Sequence, residues 1–131
     1  MPDKLTYAAN LKTRHHEVQA TNIIVVLFEE GEAHIAYAPA LDLSGYGYSD
    51  DEAKASFEIA LKQFLEITTT KGTLVSELKR LGWNVSGAKL KVVKSPAFDD
   101  LLDTNHSLSK LVEEGVPLRP MRQSIQLFAN A

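Results

Sequence analysis

Asp42, Asp50, Asp51 and Glu58 are the acidic residues whose spacing could serve metal-dependent chemistry. Carboxylates at strand ends and on a following helix can hold the metal ions that hydrolyse phosphodiesters. The local pattern favours a simpler use for most of them. Asp50, Asp51 and Glu52 fall in the first turn of a predicted helix, where the macrodipole stabilises negative charge, and Glu58 falls on the solvent stripe of that helix. A nuclease with its carboxylates moved to Asp42, Asp50 and Asp51 is therefore the weakest functional alternative, and neither a metal nor a cofactor is expected.

Gly45-Tyr46-Gly47 could cradle a phosphate with backbone N–H groups ahead of a helix N-terminus. It lacks the third glycine of a dinucleotide fingerprint and the Lys-Ser/Thr of a P-loop, and the acids that follow would repel an anion. Glycines that turn the chain through backbone angles closed to other residues are the preferred reading. His15, His16, His34 and His106 do not match a metal-binding spacing, and adjacent His15 and His16 would point to opposite faces of a strand. No serine sits in a G-x-S-x-G elbow. Basic residues gather at Lys79, Arg80, Lys89, Lys91 and Lys94 and again at Arg119 and Arg122, without the interleaved aromatics of a nucleic-acid surface.

These residues belong to a chain of 131, which predicts a single domain with one hydrophobic core. Its 44% hydrophobic and 24% charged residues are those of an ordinary globular protein, arguing against disorder. A net charge of −3 argues against a surface built wholly for nucleic acid. The absence of cysteine removes disulfides, thiolate zinc sites and cysteine nucleophiles. The opening stretch MPDKLTYAANLKTRHH has no apolar core of a signal peptide, and the apolar run Ile23 to Phe28 is too short to cross a bilayer, so a cytoplasmic protein with no membrane partner is expected.

The elements that must position the acids begin with a strand at about Asn22 to Glu29. Both parities of IIVVLF are apolar, so this strand needs cover on both faces. Gly31 turns the chain into HIAYA as an antiparallel hairpin, and Pro39, with no N–H to donate, interrupts the ladder. LDLSG alternates as a third short strand with Leu41 and Leu43 inward, completing a meander. Ser49 with Glu52 matches a capping box, so a helix starts at Asp50. Ala53, Phe57, Ala60, Leu61, Phe64 and Thr68 form its buried side and Lys54, Glu58, Lys62 and Glu66 its solvent stripe.

A second helix over TLVSELKRL has Thr73 as N-cap, Gly82 at a left-handed C-terminal position and Trp83 making the contact that follows such a cap. WNVSGAKLKVV predicts a hairpin about a Ser86-Gly87 turn. Two short helical segments and a terminal strand over RQSIQLFA complete the chain.

The stretch AYAPALDLSGYGYS followed by DDEAKASFEIALKQFLE resembles the HicB antitoxin family. The resemblance lies in Tyr37-x-Pro39, the Leu41-x-Leu43 pair, Gly45 and Gly47, and Ser49 with Glu52-Ala53 opening an amphipathic helix. It implies an α+β fold: an antiparallel three-stranded meander plus a helix, a partial RNase H-like body over residues 12–70, with a short α/β extension over 71–131. It also implies a non-enzymatic module, the antitoxin of a toxin-antitoxin pair, that binds and occludes a small ribonuclease, HicA. Many HicB proteins repress their own operon through a C-terminal DNA-binding module. Here the tail has the strand-helix-helix order of a ribbon-helix-helix, but with short helices and a following strand, so an autoregulator using Lys89, Lys91 and Lys94 stands as an alternative. A homodimer is expected, because doubly apolar strands with a single long helix leave surface to bury. Tyr46 and Tyr48 have no evident structural duty and are assigned to a partner interface.

Overall fold

Four β-branched residues, a leucine and a phenylalanine make up the chain from Ile23 to Phe28, and branched side chains pack well on a pleated surface. They form the centre of β1 (Glu17–Glu30). The computed structural model describes residues 17–86 and 92–129. After β1 come β2 (Ala33–Ala38), β3 (Leu43–Gly47), α1 (Asp50–Lys71), α2 (Leu74–Arg80), β4 (Asn84–Ser86), β5 (Val92–Lys94), α3 (Phe98–Thr104), α4 (His106–Glu113) and β6 (Arg119–Ala129). The fold is α+β. Among the described residues no helix is long and apolar enough to cross a membrane.

The main sheet is antiparallel with strand order β3-β2-β1-β6. Glu30 pairs with Ala33 across a two-residue loop in which Gly31 has φ 62°, so glycine stands at the first loop position, where a positive angle is required. The terminal strand does not cover a sheet face. It joins the sheet as a fourth strand, pairing with β1 from Glu17↔Ala129 to Leu27↔Arg119. Pro120 is accommodated because β6 lies at the sheet edge. β4 and β5 form a separate ribbon in which Ser86, expected at a turn with Gly87, is still in the strand and pairs with Val92; residues 87–91, with Lys89 and Lys91, lie outside the described residues, as do His15 and His16.

The alternation of β1 decides what covers each face. Ile23, Val25 and Leu27 join Ala36 and Ala38 of β2, Ile125 and Leu127 of β6, and Ala53, Phe57, Leu61 and Leu65 of α1 in one apolar cluster. Burying Phe57 alone contributes about 3 kcal/mol. Leu78, Trp83, Leu101 and Leu108 extend the cluster into the second half of the chain. On the opposite face Val26, Phe28, Ile35 and Tyr37 are buried, with Leu111, Val116 and Leu118 packed against them. The chain's own C-terminal region thus supplies part of the cover that the second face requires.

Two expectations about the meander change. Asp42 has φ 54°, the left-handed region, and the Leu41 N–H bonds to the Ala38 carbonyl at 3.2 Å, so Leu41 and Asp42 belong to a turn and not to an alternating strand. Leu41 is nevertheless buried from that turn, and Leu43 packs against the same cluster from the start of β3.

Gly45 and Gly47 do not turn the chain either. They lie within β3, neither with a positive φ, and Gly45 is opposite Ala36. Their role is space. A Cβ on Gly45 would stand 2.1 Å from the Phe57 nitrogen, and one on Gly47 would stand 2.3 Å from Glu52 Cβ. The helix lies against the bare backbone of β3.

The helix start is as expected. Ser49 is the N-cap and its Oγ accepts from the Glu52 N–H at 3.1 Å. Glu52 reaches back one residue further than in the usual box, accepting from the Tyr48 N–H at 2.8 Å. Ser56 Oγ accepts from the Tyr46 N–H at 3.1 Å, so side chains of α1 occupy N–H groups of β3 and of the residue just beyond it. The helix ends at Gly72, whose φ of 68° makes a left-handed cap that the sequence reading overlooked. Thr73 precedes α2 without a side-chain cap, its carbonyl accepting from Glu77 N–H and Ser76 Oγ instead. At the end of α2, Gly82 bonds to the Lys79 carbonyl and Trp83 to that of Leu78, the paired bonds of a Schellman motif.

Candidate functional site

Tyr37, in β2, is buried, and its hydroxyl donates to Asp42 Oδ1 at 2.7 Å. Asn105 Nδ2 donates to the same hydroxyl at 2.9 Å, while its Oδ1 caps α4 by accepting from the Leu108 N–H at 2.9 Å. One polar junction therefore ties β2, the turn at Asp42 and the α3–α4 connection. Burial pushes the Tyr37 phenol up to about 12; the neighbouring Asp42 carboxylate adds to the rise, and the Asn105 hydrogen bond opposes it. At neutral pH the phenol is therefore protonated and donates to Asp42.

Clefts open on both sides of this junction, and both include Asp42 and Ser107 in their walls. One, of about 420 Å³, runs past Pro39, Arg80 and His106. The other, of about 360 Å³, lies between the second sheet face and α4, with Phe28, Ile35 and Leu111 along it and Tyr46 at its side. Tyr46 is 61% exposed and Tyr48, just beyond the strand, 82%. Both tyrosines assigned to an interface are thus on the surface. Tyr37 and Pro39 are buried, as are Leu41, Gly45 and Ala53, so the inward part of the motif serves packing.

The structure does not gather the acids. Asp42 is held by Tyr37, Asp51 and Glu58 are exposed on α1, and Asp50 faces elsewhere. Among the described residues no group of three His, Asp or Glu side chains is placed to hold a metal ion. Asp50 instead receives Arg119, whose Nη2 donates to Oδ1 at 3.0 Å and Nη1 to Oδ2, and His34, whose Nδ1 lies 2.9 Å from Oδ1. Sequence reasoning placed Asp50 at the helix start but missed both partners. His34 is 16 residues away and Arg119 69 residues away.

Hydrogen bonds from Arg119 first, then from His34, hold the Asp50 carboxyl well below the ordinary carboxylate range. A carboxylate with a depressed folded-state pKa contributes stability that is present above its unfolded value and disappears as pH falls through the folded one. Asp50→Asn is expected to destabilise the protein at pH 7, and the gap from wild type should narrow as pH drops below about 4. The carboxylate is 31% exposed, so the effect is modest and about 0.5 M salt should reduce it. Thermal melts across pH at two salt concentrations measure this; a gap that widens in acid would contradict the assignment.

Of the basic residues, Arg80 pairs with Glu77 at 2.9 Å and Arg119 with Asp50, so both are engaged within the chain. Lys94 and Arg122 line a separate cleft of about 290 Å³ whose lining includes no carboxylate. Comparison of the chain with protein-family models, curated proteins and solved structures finds no match.

Proposed function

We infer that the chain is a HicB-like protein-interaction module, the antitoxin of a toxin-antitoxin pair that occludes a small HicA-type ribonuclease. The observation that carries this reading is the exposure of Tyr46 beside a groove and of Tyr48 just beyond the same strand, on a sheet that buries Ile23, Val25, Phe28 and Ile35. Aromatic residues are enriched at interfaces and act as anchors when a partner desolvates them. The order of three antiparallel strands and a long helix supports the family part of the reading, as do the acids, of which Asp42 and Asp50 are committed to partners within the chain. Purifying the tagged chain from its host should recover a small basic protein in stoichiometric amount, and co-expression should relieve that protein's toxicity. Recovery of the chain alone, with no growth-inhibiting gene beside its own, would remove the antitoxin reading.

The second reading is a DNA-binding autoregulator. It is favoured by the cleft that Lys94 and Arg122 line without an acid. Binding to its own promoter with a steep loss of affinity as salt rises would support it, and no mobility shift at low salt would dismiss it.

A further inference from the structure

The groove between the second sheet face and α4 combines an apolar floor with acidic walls. Its floor is hydrocarbon and aromatic, formed by Phe28, Ile35 and Leu111. Its walls carry carboxylates from three parts of the chain, Glu30 at the end of β1, Asp42 in the turn before β3 and Glu114 just after α4, against the single ammonium of Lys110. Phosphate-bearing ligands are repelled by such walls, and a purely apolar ligand would bury the carboxylates without a partner. A cation carried on a hydrocarbon stem meets both demands.

Tyr46 narrows the choice further. Its ring flanks the groove and stands 61% exposed, offering an aromatic face for a cation to stack on. Guanidinium is planar, stacks on aromatic rings and forms paired hydrogen bonds with a carboxylate, whereas ammonium acts as a point charge. Asp42 gives one oxygen, Oδ1, to the Tyr37 hydroxyl, which orients the carboxylate while Oδ2 can still accept. Strand addition is not the route here, because Ser56 and Glu52 already occupy the Tyr46 and Tyr48 N–H groups.

We propose that this groove receives an arginine side chain presented by a basic surface of the partner protein, its stem on Phe28 and Ile35 and its guanidinium between Tyr46 and the wall carboxylates. The inference rests on the protein-interaction reading and gives that partner a chemical signature.

The test titrates the isotope-labelled full chain with an acetylated, amidated Ser-Gly-Arg-Gly-Ser peptide, using the same peptide with Glu or Lys at the centre for comparison. Saturable shifts of the Phe28, Ile35 and Leu111 amides are expected with the arginine peptide, weaker ones with lysine and none with glutamate. Tyr46→Ala should weaken arginine binding about threefold or more, and Glu114→Gln should weaken it as well; both residues are exposed, so neither change threatens folding. Shifts scattered over the acids of α1, equal responses to the arginine and glutamate peptides, or unchanged affinity in Tyr46→Ala would overturn the proposal. The two readings also fail separately. A partner recovered equally well by the Tyr46→Ala, Glu114→Gln double variant would sink the groove and leave the interaction module standing. Specific arginine binding by a chain that recovers no toxin would sink the antitoxin and uphold the groove.

Discussion

Replacing Gly45 with alanine should lower the unfolding free energy by about 3 kcal/mol or more, at the upper end of what overpacking costs. The added Cβ would meet the Phe57 nitrogen at 2.1 Å, the Ala53 carbonyl oxygen at 2.4 Å and the Phe57 Cα at 2.6 Å. All three are backbone atoms, so no side chain can rotate aside. Since non-bonded atoms prefer separations of about 3.5 Å, α1 must withdraw from β3 by about 1 Å or more. Ala53, Phe57 and Leu61 are fixed to that helix and would lose contact with the sheet together. Urea denaturation followed by circular dichroism measures the loss. Gly31→Ala is the informative control, because Gly31 has φ 62° with nothing within 4 Å of an added Cβ. There only backbone strain operates, worth about 1 kcal/mol. Similar losses for the two variants would mean that the helix does not lie so close to the strand.

Trp83→Ala should cost about 4 kcal/mol, within the range for deleting a buried aromatic side chain. The indole is 4% exposed within the main cluster, and its Nε1 donates to the Ala40 carbonyl at 2.8 Å. Truncation therefore opens a cavity and leaves a buried carbonyl without its donor. It also removes the hydrophobic contact that accompanies the Schellman bonds after α2. At about 4 °C per kcal/mol for a chain of this size, the melting temperature should fall by more than 10 °C. Trp83→Phe keeps most of the packing and loses the hydrogen bond, for about 1 to 3 kcal/mol. Trp83 is the sole tryptophan, so circular dichroism and not intrinsic fluorescence must report both transitions. A loss under about 1 kcal/mol in the alanine variant would show that the indole is not held in the core.

The features that could be read from the sequence are those whose causes lie within a few residues. The Ser49 cap spans three residues and the Gly82-Trp83 termination follows directly on α2, so both are visible in local residue types. The two-sided apolar strand was visible too, because strand parity is a period of two. The identity of its second cover was not, since Leu111 and Val116 lie far along the chain from β1. Gly45 was misread for a related reason. Glycine serves turns and close approach alike, and only the position of Phe57 twelve residues later separates the two. The junction of Tyr37, Asp42 and Asn105 spans 68 residues, and sequence spacing carries no signal of it.

The side chains that α1 lays along β3 have a consequence for the chain's behaviour in concentrated solution. An open strand edge is a template on which another copy can pair and seed aggregation. At the β3 edge, Ser56 has taken the Tyr46 N–H and Glu52 the Tyr48 N–H just beyond the strand, two donors that an incoming strand would use. At the other end of the sheet, Pro120 interrupts the donor row near the start of β6 and Arg122 adds charge to that strand. Sheet extension is thereby discouraged at both ends, by borrowed side chains at one and by sequence at the other, and the tyrosines can stay exposed without inviting strand-to-strand polymerisation.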